Sequence, residues 1–179
     1  MSTAVVAKAR TEILISGFGG QGVIRMGQIL GLAAIRQGMR VTMLKSHGTE
    51  TRGGYVRAQI VVAPDYVDSP VVEHADYFVA FSQSAYGKFY NLATGAILFD
   101  PDMVAKLQPR DPERHVRVPA TSLSKERFNN PLFANSIMLG ALTRHAGLDA
   151  DAVRAAMLEV LPRFHDQNVQ AFVLGYDLR

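Results

Sequence analysis

The hydrophobic positions along this chain change period several times, and each change marks an element. Ile13-Leu14-Ile15 is the first short apolar run, and the turn Ser16-Gly17-Phe18-Gly19-Gly20-Gln21-Gly22 follows it. Apolar residues then fall on one helical face at Val23, Met26, Leu30 and Ala33 or Ala34, and Gly38 offers a stop. Val41 to Leu44 reads as a second strand. A strand, loop, helix and strand in that order favour an α/β domain with parallel pairing.

After a polar loop, Ser46 to Gly54, the stretch Tyr55 to Ala63 runs as an uninterrupted strand. Val56, Ala58, Ile60 and Val62 lie on one side; Tyr55, Arg57, Gln59 and Val61 lie on the other. One buried and one wetter face predict an antiparallel or edge strand in a mixed sheet. Pro64-Asp65 marks a turn. Tyr77 to Phe81 and Ala96 to Phe99 read as fully buried strands, with a helix around Ser84 to Leu92 between them. Tyr86, Phe89 and Tyr90 are read as packing that helix.

Gln108 to Arg114 reads as a surface loop and Val116 to Val118 as a short strand closed by Pro119. The remainder is read as helical. Leu132, Asn135, Ser136, Leu139 and Leu142 keep helical spacing up to Gly147. Asp149 or Asp151 caps a helix over Ala152 to Leu161, and Asn168 to Gly175 adds a last turn or short helix. The pattern predicts one three-layer α/β domain over residues 11–179, behind a short tail over 1–10. Its sheet is mixed and mostly parallel, with helices on both faces.

Composition narrows the function. With 179 residues, 48% hydrophobic and 20% charged, the chain suits a single globular domain. The net charge of +3 comes from scattered basic residues, so no nucleic-acid stripe is read. No apolar run approaches a membrane span, and Met1 to Arg10 carries no signal-peptide pattern. A cytoplasmic setting is expected. There is no cysteine, which excludes disulfides and cysteine-ligated iron–sulfur clusters within this sequence. Any redox centre must sit on other chains.

Two loops carry the candidate chemistry. Gly17, Gly19 and Gly22 fit G-x-G-x-x-G between a strand and a helix, the arrangement that lets a helix N-terminus hold a phosphate. A nicotinamide site also wants an acid at the end of the second strand, and Lys45-Ser46 stands there instead. A lysine suits a 2′-phosphate, so an NADP-binding Rossmann-type reductase stays open. No residue set for hydride transfer stands out downstream. The plainer reading is that the glycines permit a tight turn and close helix–sheet packing.

The second loop, Ser46-His47-Gly48-Thr49-Glu50-Thr51-Arg52-Gly53-Gly54, is polar and ends in paired glycines. Taken with Gly19-Gly20-Gln21-Gly22, it resembles the gamma subunit, or gamma domain, of the 2-oxoacid:ferredoxin (acceptor) oxidoreductases. That family shows a Gly-Gly-Gln-Gly turn after its first strand and a Ser-x-Gly-x-Glu-x-Arg-Gly-Gly loop after its second. Further matches lie at Pro119-Ala120, at Asn135 with Leu139-Gly140-Ala141, and at Ala171-Phe172 with Gly175.

The resemblance implies a gamma component that is not catalytic alone. Its complex decarboxylates a 2-oxoacid on thiamine diphosphate, passes the acyl unit to coenzyme A and sends electrons through iron–sulfur clusters to ferredoxin. Thiamine diphosphate and the clusters would belong to alpha, beta and, where present, delta chains. Gly19, Gly20, Gln21 and Gly22 are then a candidate ligand or interface loop. Ser46, Gly48, Glu50, Arg52, Gly53 and Gly54 are a candidate interface loop, with Arg52 its most consequential side chain. Self-association, such as a homodimer, is expected without the partners. Asn135 is read as a buried residue that satisfies backbone groups. No nucleophile–base arrangement and no metal-ligand spacing is found among the histidines.

Overall fold

A computed structural model describes residues 10–47 and 55–178. Its strands are β1 (Thr11–Phe18), β2 (Arg40–His47), β3 (Tyr55–Ala63), β4 (Ala75–Ala80), β5 (Ala93–Phe99) and β6 (His115–Arg117). The helices are α1 (Val23–Arg36), α2 (Gln83–Phe89), α3 (Ala120–Phe128), α4 (Ala134–His145), α5 (Ala150–Val160) and α6 (His165–Tyr176). The strands form one sheet in the order β2-β3-β1-β4-β5-β6. β3 runs antiparallel to both β1 and β2, and β4, β5 and β6 continue parallel to β1. The mixed, mostly parallel α/β sheet read from the sequence is therefore present.

Of the two expectations for β3 the antiparallel one holds: it sits inside the sheet, and β2 and β6 are the edges. The wet side of β3 is also shorter than its alternation suggests. Tyr55 and Arg57 are half-buried, but Gln59 and Val61 are buried. Gln59 is tolerated there because its side-chain oxygen accepts the Val72 N–H at 3.1 Å.

The two faces of the sheet are covered unequally. One carries α1, α3, α4, α5 and α6 over a core that includes Ile13, Ile15, Ala58, Ile60, Val79 and Leu98. Val23, Met26, Leu30 and Ala33 of α1 all point into it, as their spacing requires. The other face carries α2 and its 3-10 extension Tyr90–Leu92, over Leu14, Val61, Phe78, Ala80, Ile97 and Phe99. Tyr86, Phe89 and Tyr90 are buried there and pack α2 as expected.

On the heavily covered face α4 and α6 pack almost backbone to backbone. A Cβ on Gly140 would lie 2.0 Å from the Phe172 carbonyl oxygen, and one on Gly175 would lie 1.8 Å from that of Ile137. Helix α6 is longer than the short terminal turn the sequence suggests. Its start carries no side-chain cap and follows Phe164 in the left-handed region (φ 60), so the usual start signals are missing. Asn168 inside it donates to the carbonyls of Arg163 and Phe164 and accepts from Ser136. Asp149 caps α5 through the N–H groups of Asp151 and Ala152.

The N-terminal end of the sheet is tied by a buried carboxylate. Glu12 accepts the Glu73 and His74 N–H groups at 2.7 and 2.8 Å and the Arg10 guanidinium at 2.7 Å. Burial pushes its carboxyl up, but these bonds and the Arg10 charge outweigh that and hold it below the ordinary range.

Candidate functional site

β1 and β2 both run antiparallel to β3, so their C-terminal ends are level. Phe18 stands opposite Tyr55, and His47 stands opposite Val56. The glycine turn and the base of the second loop therefore emerge at the same end of the sheet. Of the second motif, Ser46 and His47 are described; Gly48, Glu50, Arg52, Gly53 and Gly54 lie outside the described residues.

Within the turn, Gln21 bridges the backbone of two strand ends. Its side-chain oxygen accepts the Phe18 N–H at 2.6 Å, and its amide donates to the Phe81 carbonyl at 3.0 Å. This closes the ends of β1 and β4 upon each other. Gly17 is required by that clamp, because a Cβ there would lie 2.4 Å from Gln21 Oε1 and 2.6 Å from Phe81 Cβ. Gly22 has φ 77, and its Cβ would lie 2.2 Å from Asn135 Nδ2. Those two glycines are packing residues. Gly19 and Gly20 differ: a Cβ on either meets nothing within 4 Å.

The open side of the turn borders a cavity of about 360 Å³. Phe81, Met103, Pro131, Leu132 and Ala134 give it apolar walls, and Gly20, Gln21, Thr121, Asn130 and Asn135 add polar groups. Helix α1 begins at its edge with no side-chain cap and no acidic residue in the first turn. Its first N–H groups and partial positive charge are thus available to an oxyanion. Asn135 is half-buried, accepts only a long 3.4 Å bond from Ser136 Oγ, and lines the cavity. The backbone-satisfying asparagine is instead Asn168.

Behind the Thr121 wall lies Asp100, fully buried. It accepts the Thr121 N–H at 2.8 Å, the Thr121 hydroxyl at 2.6 Å and the Asp102 N–H at 3.1 Å. Burial raises its carboxyl above the ordinary range, against the pull of those bonds. Asp100 caps α3, whose own N-cap, Pro119, offers no side chain. No local pattern marks it, because its partner is 21 residues further on.

The dinucleotide reading fails on geometry. In a Rossmann module β2 lies beside β1, where an acid at its end reaches the ribose. Here β3 is inserted between them, so the end of β2 stands two strand spacings, about 10 Å, from β1. Among the described residues no group of three or more His, Asp or Glu side chains forms a metal site. None of their helices is long and apolar enough to cross a membrane.

A six-stranded mixed sheet with a clamped Gly-Gly-Gln-Gly turn above a cavity at its C-terminal end defines the class. Residues 12–178 match the family model of the pyruvate ferredoxin/flavodoxin oxidoreductases, and the chain belongs to that family as a gamma-type subunit. It is similar to 2-oxoglutarate synthase subunit KorC of Methanothermobacter marburgensis, with 37% identity over 94% of this chain and 96% of that one. The gamma subunit of a keto/oxoacid ferredoxin oxidoreductase from Geobacter sulfurreducens superposes with a TM-score of 0.80. It is 28% identical, over 93% of this chain and 96% of that one. The fold also recurs in a 2-oxoglutarate:ferredoxin oxidoreductase from Magnetococcus marinus with 2-oxoglutarate, coenzyme A and succinyl-CoA bound. That match has a TM-score of 0.81 at 22% identity, over 95% of this chain and 31% of that one.

Proposed function

We propose that this chain serves as the gamma subunit of a cytoplasmic 2-oxoglutarate:ferredoxin oxidoreductase, and that the cavity beside Gly20 and Gln21 takes part of coenzyme A. The end-to-end likeness to a 2-oxoglutarate synthase subunit supports the choice of oxoacid. The ligand reading rests on one observation: Gly20, where a Cβ would meet no atom within 4 Å, lines a mostly apolar cavity beside the uncapped start of α1. Apolar walls with amide groups suit a pantetheine arm, and the α1 N-terminus suits the phosphates that adjoin it. When bound, coenzyme A supplies the thiol that takes the acyl unit.

Thiamine diphosphate and the iron–sulfur clusters belong to the alpha, beta and, where present, delta partners in this reading. With no cysteine, this chain offers the clusters no thiolate. The loop Ser46 to Gly54, with Glu50 and Arg52, contacts those partners. Half-exposed Phe164 and Leu132 favour self-association when the partners are absent.

The test is the reconstituted complex. It should reduce ferredoxin with 2-oxoglutarate in preference to pyruvate, branched-chain 2-oxoacids or indolepyruvate. Ala134→Leu should raise KM for coenzyme A about tenfold or more, as the larger side chain fills the cavity, and leave KM for the oxoacid unchanged. Preference for another oxoacid, or an unaltered coenzyme A KM, overturns the corresponding half of the proposal.

A further inference from the structure

On the thinly covered face of the sheet, one cation is held ready for a partner that no described residue supplies. Arg57 lies on β3 in a cross-strand row with Ser16 and Ser46. Its Nε donates to Ser46 Oγ at 3.0 Å, and its guanidinium carbon sits 5.2 Å from the centre of the Phe89 ring. The ring is itself fixed, edge-on to Tyr55 at 5.2 Å and to Phe78 at 6.5 Å. A guanidinium tethered at Nε and laid against an aromatic ring has lost most of its rotamer freedom. Its Nη1 and Nη2 groups have no acceptor among the described residues, and no carboxylate there forms an ion pair with it.

A second cation lies nearby. Lys88 Nζ stands 4.2 Å over the Tyr55 ring, so two cations share one aromatic pair. An arginine that spends its Nε on a serine keeps the bidentate edge for an oxyanion. Ser46 is the first residue of the loop that is read as an interface, and Arg57 follows that loop by three residues. The uncovered end of this face is therefore continuous with the base of that loop.

We propose that Arg57 is a preorganised carboxylate-binding site that docks an Asp or Glu side chain of the partner subunit. This rests on the gamma-subunit reading above. It assigns a specific docking contact to a residue on the opposite face of the sheet from the cavity.

The experiment measures the dissociation constant between this chain and its purified partner chains by sedimentation, across a range of salt. Arg57→Ala should weaken assembly about thirtyfold or more and flatten its salt dependence, with the melting temperature of the isolated chain nearly unchanged. Arg57→Lys keeps the charge but loses the fork and the Ser46 bond, so it should restore only a small part of the affinity. Wild-type assembly with an unchanged constant for Arg57→Ala overturns the docking role and leaves the subunit reading standing. A non-additive loss of thermal stability between Arg57→Ala and Glu50→Ala in the isolated chain also overturns it, since the acceptor would then be internal. Failure of the wild-type chain to bind any partner removes the subunit reading and this proposal together.

Discussion

Helices α1 and α3 to α6 cover one face of the sheet, while among the described residues α2 and its 3-10 extension are the helical cover of the other, and the two faces are packed differently. The heavily covered face is sealed by contacts too close for any side chain, such as Gly140 on Phe172 and Gly175 on Ile137. The thin face leaves Leu44, Tyr55 and Arg57 partly exposed and holds its cations on aromatic rings. The first face is the more tightly packed of the two. The glycine turn joins them, with Gly17 and Gly22 committed to packing and Gly19 and Gly20 left open.

The largest effect should come from the sealed face. Gly140→Ala or Gly175→Ala drives a Cβ against backbone that no side-chain rotation relieves. Each should cost about 3 kcal/mol or more, read as a lowered denaturation midpoint. A loss under about 1 kcal/mol would show that α4 and α6 can separate freely.

Next comes the split within the turn. Gly17→Ala should cost about 1–3 kcal/mol because it expels the Gln21 clamp. Gly19→Ala should change stability by less than about 0.5 kcal/mol. Equal losses at both positions would erase the distinction between packing and open glycines.

A smaller, pH-dependent effect should appear at Glu12. Its folded carboxyl lies below the ordinary range, so its contribution is present above the unfolded value of about 4.3 and is lost as pH falls through the folded value. Glu12→Gln should therefore lower stability by about 1–2 kcal/mol at pH 7, and the gap should close on acidification below about pH 4.3. A gap that stays constant with pH would mean the carboxylate charge plays no part.

Local pattern made much of this legible. The face of α1, the stop at Gly38, the helix at α2 and the Asp149 cap follow from spacing and capping chemistry within a few residues. What escaped depends on distant partners. The inward place of β3 follows from pairing with both β1 and β2, and Asp100 caps a helix 21 residues away. α6 starts without a polar cap. The turn was legible as a motif, but only the geometry separates its two packing glycines from its two open ones. Arg57 reads in sequence as one polar position in an alternating strand; its tether to Ser46 and its seat on Phe89 need the hairpin and α2 together.

The most direct measurement of the central claim is acceptor reduction by the partner chains with and without this one. The thiamine-binding chains alone should show little turnover with 2-oxoglutarate and coenzyme A. The isolated chain should show none, and mixing the two should restore activity at one copy of this chain per thiamine-binding unit. Full activity of the partners in its absence, or reduction of an acceptor by this chain alone, would contradict the account.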